Sequence, residues 1–381
     1  MFPLREHTIL LTVAGSRAYG IHRAESDVDL KGVAIPPKAY FHGYLSRFEQ
    51  ADKASEMRTF ADLLNAEERA AVAATKLEGS IYELRKFIGL AADCNPNILD
   101  ALFCRDEELR LATPLGEKLR ENRALFLSAK AKHTFSGYAA AQLKRIRGHR
   151  AWLLSPPKAP PTRAAFGLPE FTLIPADQLA AANAAVASKI DSWALDFSGL
   201  DDAEIVHIEG QIAAYLSELR VAAGLESTDD LKWMAAARHV GLDDNLIQVL
   251  QREREYAAAQ RYWKQYQEWR AGRNADRAVL EERYGFDTKH GAHLVRLLKM
   301  CREILETGQV NVWRGGIDAE QILAIRAGAW SYDELLEWAE AEDAALTELY
   351  NQRRYAVPKQ PDREAIDRLC VELVEAALRS G

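Results

Sequence analysis

A short apolar segment that ends in a glycine and a serine, followed by a segment that opens with two aspartates, most strongly limits how this chain folds. Residues 7–14 read HTILLTVA, a run rich in apolar and β-branched residues that stops at Gly15. Such a run predicts a buried β-strand. Residues 27–35, DVDLKGVAI, begin with alternating polar and apolar residues and stop at Pro36, which predicts a second strand.

The two aspartates of the second predicted strand, Asp27 and Asp29, lie two positions apart, so their side chains point to the same face. Two like charges about 4 Å apart repel by roughly 4 kcal/mol at an effective dielectric near 20. A divalent cation bound by both carboxylates converts that repulsion into coordination, and Mg²⁺ prefers oxygen ligands together with substrate phosphates. The pattern therefore predicts a Mg²⁺ or Mn²⁺ site at Asp27 and Asp29.

The Gly15-Ser16 turn has the chemistry of a phosphate contact. A glycine lets the backbone approach a phosphate closely, and a serine hydroxyl and backbone N–H groups donate to its oxygens. An Asp-x-Asp pair in a surface turn and a Gly-Ser pair are each common without any ligand. Their combination on consecutive predicted strands favours a nucleoside triphosphate (NTP) bound beside a metal ion.

Composition and charge limit the class of protein. With 381 residues, 48% of them hydrophobic and 28% charged, the chain is predicted to form two or three globular domains. A net charge of −7 means that any nucleic-acid surface must be a local patch. The scattered positions of Cys94, Cys104, Cys301 and Cys370 predict a cytoplasmic protein without disulfides. No apolar run reaches membrane-spanning length, and no signal peptide or membrane association is expected.

The pattern of secondary structure changes along the chain. A helix is predicted over residues 81–94, and almost everything beyond about residue 125 has helical periodicity. Residues 155–175 contain six prolines, which is typical of a linker or long loop. We therefore predict three parts: a domain over 1–125, a connecting helix and proline-rich loop over 126–175, and an α-helical domain over 176–381. Asp287 and Gly308 are predicted to cap a helix over 287–307.

The turn followed by Asp-x-Asp resembles the nucleotidyltransferases of the DNA polymerase β superfamily. The segment GSRAYGIHRAESDVDLKGV is more similar to the YcgL-type, RNA-repair-associated polymerase β-like family. The similarity continues in residues 81–103, IYELRKFIGLAADCNPNILDALF, and 285–314, GFDTKHGAHLVRLLKMCREILETGQVNVWR. This resemblance implies an α+β protein: an N-terminal polymerase β-like nucleotidyltransferase domain with a mixed sheet and helices, followed by a mainly α-helical domain.

The resemblance also assigns roles to residues. Asp27 and Asp29 are implied to be catalytic metal ligands, with Glu78 as the third carboxylate of the superfamily and Glu83 as the alternative. The implied nucleotide contacts are Gly15, Ser16, Arg17, Tyr19, Lys289 and His290. Lys289, His293 and Arg296 follow helical spacing and are predicted to line one stripe facing the cleft. The alternative is an ordinary polar helix start.

The function implied is transfer of a nucleoside monophosphate from an NTP to an acceptor hydroxyl, with an RNA 3′ end favoured. A protein or small-molecule acceptor and a non-catalytic nucleotide-sensing or partner-binding module remain alternatives. The most basic segment is predicted either to follow an RNA backbone or to be a solvated helix face: Lys130, Lys132, His133, Lys144, Arg145, Arg147, His149 and Arg150. His290 and His293 suggest a metal pair, but the sequence offers no third ligand, so a zinc site is not favoured.

Overall fold

A computed structural model of the chain describes residues 2–23, 26–172, 174–195, 202–222, 227–273 and 275–380. Ala24 and Glu25, which belong to the segment that carries the resemblance, lie outside the described residues. The chain divides into two compact units, the first formed by residues 1–153 and 276–381 and the second by residues 154–275. The division predicted at residues 125 and 175 is a different one and stays a prediction.

The strands lie in the first third of the chain. Their bounds are β1 (Thr8–Ala14), β2 (Val28–Ala34), β3 (Gln50–Ala51), β4 (Leu77–Glu83) and β5 (Leu109–Ala112). They form one sheet in the order β3-β4-β2-β1-β5. β2 runs antiparallel to β1 and parallel to β4, so the sheet is mixed.

Helices make up most of the remaining described residues. Before the sheet is complete they are α1 (Leu4–His7), α2 (Gly15–Ala18), α3 (Lys38–His42), α4 (Ala54–Met57), α5 (Ala66–Ala74), α6 (Leu84–Ala92) and α7 (Pro96–Phe103). After it they are α8 (Pro114–Glu121), α9 (Ala131–Leu154), α10 (Ala176–Asp191), α11 (Asp202–Ala222), α12 (Thr228–His239), α13 (Asp244–Ala271), α14 (Ala275–Tyr284), α15 (Thr288–Thr307), α16 (Ala319–Arg326), α17 (Tyr332–Asn351) and α18 (Arg363–Ser380). The protein is α+β, as the resemblance implied.

Both strands predicted at the start of the chain are confirmed, but the helix predicted over 81–94 begins too early. Residues 81–83 continue β4, which pairs with β2 from Leu77 to Glu83, and α6 begins only at Leu84. The Glu83 side chain accepts a hydrogen bond from the Lys86 backbone N–H and so caps α6. The helical pattern of residues 81–83 is overridden by their pairing with a neighbouring strand, which is a tertiary contact.

The alternation of β2 separates its two faces. Val28 and Leu30 point to one side, where they pack with Leu11 and Val13 of β1 in a first core. Asp29 therefore points to the other side of the sheet. The polar site described below lies on that second face, at the edge where β1 ends and β2 and β4 begin.

A second and larger core on that other face draws on both stretches of the first unit. It contains Phe87 and Phe135 from the first stretch, and Leu298 and Leu346 from the second. These apolar side chains are fully buried, so the two stretches form one folded body rather than two adjoining ones.

The second unit, residues 154–275, has a small core of its own. Val186, Trp233 and Ile247 are buried together there. Arg163 and Glu253 form a largely buried ion pair, with Arg163 Nη1 3.0 Å from Glu253 Oε2. Across both units, none of the helices in the described ranges combines the length and the apolar character that crossing a membrane requires.

Candidate active site

The turn after β1 lies directly against the Asp29 carboxylate. Ala14, the last residue of β1, is the register partner of Asp29 in β2. Gly15 follows with φ +63°, a backbone conformation that favours glycine. A β-carbon added at residue 15 would overlap the Asp29 carboxylate. The absence of a side chain at Gly15 is therefore what allows the turn and the carboxylate to lie so close together.

Two further carboxylates lie beside Asp29. Glu78 of β4 is its register partner in the parallel pair, and Asp27 immediately precedes β2. Burial raises the pKa of the Asp29 carboxyl, and the negative charges of Asp27 and Glu78 raise it further. Asp27 Oδ1 accepts a hydrogen bond of 3.1 Å from the Lys76 backbone N–H. Negative charge is thus concentrated at this edge of the sheet.

Two lysines oppose this negative charge from different parts of the chain. Lys31 and Lys289 both lower the pKa of Asp29, against the larger effect of burial. Lys31 follows Asp29 by two residues in β2 and lies on the same face, where burial lowers its own pKa. Lys289 is exposed at the start of α15. The fold therefore brings a cation from residue 289 close enough to influence a carboxylate at residue 29.

A buried polar network supports the site from beneath. The Tyr19 hydroxyl donates a hydrogen bond to Asp100 Oδ2, and Arg296 Nη1 lies 3.8 Å from the same oxygen. The Arg296 guanidinium also lies 3.7 Å from the centroid of the Tyr19 ring, a cation–π arrangement. Because its hydroxyl is committed to Asp100, Tyr19 holds Arg296 and the turn in place, whereas the resemblance implied a nucleotide contact, which stays a prediction.

The second stretch of the first unit, residues 276–381, contacts the turn through hydrogen bonds and an aromatic ring. The Arg314 backbone N–H donates to the Tyr19 carbonyl at 3.0 Å, and Arg326 Nη1 donates to the Ile21 carbonyl at 3.3 Å. A β-carbon at Gly20 would come within 2.8 Å of the Trp313 ring. The conformation of the turn is therefore set by residues nearly three hundred positions further along the chain.

Arg17 forms its ion pair with a carboxylate outside the group of Asp27, Asp29 and Glu78. Its Nη1 lies 2.9 Å from Glu67 Oε1, and its Nη2 donates to the Ser26 carbonyl at 3.5 Å. Arg17 lines a cavity of about 190 Å³ together with Val13, whose side chain is on the sheet face opposite Asp29. The geometry gives Arg17 a role in ordering the turn, and its implied contact with the nucleotide stays a prediction.

The start of α15 carries the other predicted contacts. Asp287 caps this helix, because its Oδ1 accepts from the backbone N–H groups of Lys289 and His290 at 3.0 and 3.1 Å. His290 Nδ1 forms a 2.8 Å hydrogen bond with Gln142 Oε1 of α9, so its ring is turned towards that helix. Burial, helped by the charge of Arg296, lowers the pKa of His293 to about 2, which keeps His293 neutral at neutral pH.

The basic residues of α9 are partly engaged within the protein. Lys132 Nζ lies 3.3 Å from Asp343 Oδ1, and Arg147 Nη2 lies 3.5 Å from Glu340 Oε1. Arg150 donates to the Gly285 carbonyl at 2.8 Å. Lys144 and Arg145 are exposed. The cationic surface that α9 offers to a polyanion is therefore smaller than the sequence suggested.

Not every residue near Asp29 could be identified as a site residue from the sequence; those concerned are Lys31, Asp100 and Arg296. Strand alternation from Asp29 places Lys31 on the same face, and the helical stripe predicted from Lys289 includes Arg296. Asp100 carries no such signal, because it lies in a segment whose other residues read as an ordinary buried helix.

Glu83 is a poor candidate for the third carboxylate. It is only 4% exposed, caps α6, and has its Oε1 3.0 Å from Arg85 Nε. Glu83 lies five positions after Glu78 in β4, an odd number, so the two side chains point to opposite faces of the strand. The choice between the two glutamates therefore favours Glu78, which lies beside Asp29.

Comparison with known families gives one match. Residues 5–152 match the family model RlaP, described as the RNA repair pathway DNA polymerase beta family. This segment contains the turn, Asp27, Asp29 and Glu78, so the match covers the residues of the candidate site. Neither the curated proteins nor the solved structures yield a match to the chain.

Proposed function

We propose that the protein is a metal-dependent nucleotidyltransferase that moves a nucleoside monophosphate from an NTP to an acceptor hydroxyl, most favourably an RNA 3′ end. The observation that carries this proposal is the close contact between Gly15, which has no side chain, and the Asp29 carboxylate. One strand end offers backbone to a phosphate, and the adjacent strand offers carboxylates to a cation. The description of the family matched by residues 5–152 supports both the reaction and the RNA.

The donor groups at the site fit Mg²⁺ or Mn²⁺. Asp27, Asp29 and Glu78 offer only oxygen ligands, and Mg²⁺ is usually held by one or two carboxylates plus substrate phosphates and water. A bound divalent ion supplies electrostatic stabilisation of the phosphate oxygens during transfer. The repulsion that raises the pKa of Asp29 is relieved when such an ion is present, which is the reason to keep these charges together.

The other residues orient the substrate. Gly15 leaves room for the triphosphate, and the Ser16 hydroxyl and the turn's backbone N–H groups are proposed to donate to its oxygens. Lys289 is proposed to pair with the leaving pyrophosphate, since it is exposed yet acts electrostatically on Asp29. Tyr19 and Asp100 hold Arg296 beneath the turn, which keeps a permanent positive charge near the nucleotide.

A labelled-nucleotide assay tests the proposal and separates its alternatives. The protein is incubated with each α-phosphate-labelled NTP, Mg²⁺ or Mn²⁺, and an RNA pool that includes tRNA. Label on RNA supports the proposed acceptor, and label on the protein or on a small molecule moves the acceptor there. Nucleotide binding without any transfer contradicts the enzymatic proposal and favours a sensing or partner-binding module.

The raised pKa of Asp29 predicts a distinctive dependence of stability on pH. A carboxyl whose pKa is higher in the folded protein than its ordinary 3.8 binds more protons when folded, so the free energy of unfolding falls as pH rises between these values. Without metal, Asp29→Asn is therefore expected to have the higher Tm at neutral pH, and the difference is expected to shrink as pH falls towards 3.8.

Thermal melts of both proteins over a pH series, with and without Mg²⁺, measure this effect. Mg²⁺ is expected to raise the Tm of the parent protein and to leave Asp29→Asn unchanged. A parent protein that is the more stable of the two at neutral pH without metal would contradict the proposed crowding of charge around Asp29.

A further inference from the structure

We propose a second metal site, for Zn²⁺, formed by His149, Asp287 and His290. The side chains of these three residues each bring a potential ligand atom within 4.8 Å of the others. In the parts of the chain that the structure describes, this is the group that meets that distance, and it does not include the predicted carboxylates of β2 and β4. The three residues come from the end of α9 and the start of α15.

The donor set is typical of zinc. Two imidazole nitrogens and one carboxylate oxygen are ligands that Zn²⁺ accepts with bonds of about 2.0–2.2 Å, and three protein ligands leave a position for water or another group. Tetrahedral ligand atoms at those bond lengths lie about 3.4 Å apart. His290 Nε2 and Asp287 Oδ2 are already 3.5 Å apart. Since the ligand atoms all lie within 4.8 Å of one another, closing the site requires His149 to approach the other two by at most about 1.4 Å.

Hydrogen bonds to the other atoms of His290 and Asp287 orient their proposed ligand atoms. Gln142 Oε1 accepts from His290 Nδ1, which fixes the tautomer whose Nε2 carries a lone pair. Asp287 Oδ1 is held by two backbone N–H groups, and its other oxygen, Oδ2, is the one that faces His290. Gln142 and Asp287 are 6% and 3% exposed, so the residues that orient His290 are buried in the protein.

This inference differs from the expectation drawn from His290 and His293, by which a zinc site is not favoured because the sequence offers no third ligand. The helical spacing of those two histidines is not what matters, since His293 is not part of the group. The missing ligands are Asp287, three residues before His290, and His149 on another helix. The inference also gives His290 a role other than the nucleotide contact implied by the resemblance.

Metal binding by the full chain tests the proposal independently of any transferase activity. The protein carrying both Asp27→Asn and Asp29→Asn, which removes the carboxylates of the proposed Mg²⁺ site, is stripped with a chelator. It is then titrated with Zn²⁺, and with Co²⁺ as a spectroscopic probe. We expect one Zn²⁺ per chain and a visible Co²⁺ spectrum of low-coordinate type. His290→Ala and His149→Ala are expected to lose both signals.

Three further variants keep the test decisive if an alanine variant fails to fold. Asp287→Asn retains an N-cap side chain and so should fold, but it is expected to bind Zn²⁺ at least about tenfold more weakly. Gln142→Leu removes only the hydrogen bond to His290 and is expected to weaken binding by about 10- to 100-fold. His133→Ala, which alters an exposed histidine of the same helix α9, is the matched control and should bind normally.

Circular dichroism establishes that each variant is folded before its metal content is interpreted. Folded variants of His149, Asp287 or His290 that bind Zn²⁺ as tightly as the Asp27→Asn/Asp29→Asn protein would overturn the proposal. So would a folded Asp27→Asn/Asp29→Asn protein that binds no Zn²⁺. If the unsubstituted protein shows no transferase activity while Zn²⁺ binding is intact, the second site stands and only the proposed function is contradicted.

Discussion

Asp29→Asn is expected to reduce nucleotidyl transfer by on the order of 10³-fold while leaving the protein folded. The Asp29 carboxylate lies between the Gly15 turn and Glu78, so its loss removes a ligand from the centre of the proposed Mg²⁺ site. Metal ions contribute several kcal/mol to stabilising the charge of such transition states, and about 4 kcal/mol corresponds to 10³-fold in rate.

The measurement is the initial rate of label transfer at saturating Mg²⁺. Asp52→Asn is the matched control, because Asp52 is an exposed aspartate just after β3 in the same sheet. Its rate should equal that of the parent protein. The Tm of Asp29→Asn, measured in the assay buffer, establishes whether a lost rate comes from unfolding. A variant as active as the parent would remove Asp29 from the mechanism.

Gly15→Ala is the second change with a large expected effect. A left-handed backbone costs an alanine about 1–2 kcal/mol, and the added methyl group also overlaps the Asp29 carboxylate. The turn or the carboxylate must move, and a displacement of about 1 Å at a reacting centre can cost 10²-fold in rate. We expect at least that loss of transfer, together with a lower Tm.

Gly316→Ala separates the two causes. Gly316 has φ +77° and nothing within 4 Å of an added β-carbon, so it carries the backbone strain without the overlap. This control is expected to lose stability by about 1–2 kcal/mol and to keep its transferase activity. If both variants keep full activity, the contact between the turn and Asp29 is not part of the site.

The strands and the capped helix were predictable because their signals are local. The apolar run over residues 7–14 and the alternation after Asp27 identify β1 and β2 without knowledge of the rest of the chain. The helix predicted from Asp287 to Gly308 is confirmed as α15, with Asp287 as N-cap and Gly308 as a left-handed C-cap. These features depend on a few neighbouring residues and on elementary backbone geometry.

The remaining features depend on contacts between distant parts of the chain. Residues 81–83 have a pattern compatible with helix, and only pairing with β2 makes them strand. Gln142 and His149 lie seven residues apart on one helix, yet nothing in their spacing indicates that His290 packs beside both. The pairing of Arg17 with Glu67, fifty positions later, likewise has no signal in the sequence.

The first unit is assembled from two stretches that flank residues 154–275, and this order has a consequence for synthesis. During synthesis the sheet is made before the second stretch. Phe87 and Phe135 are then exposed, because partners such as Leu298 have not yet been translated. Folding of the first unit can therefore be completed only after residues 154–275 have been translated. A fragment that ends near residue 152 would retain every carboxylate of the proposed Mg²⁺ site. It would also expose the apolar side chains that the second stretch covers, so it is expected to bind chaperones or to aggregate.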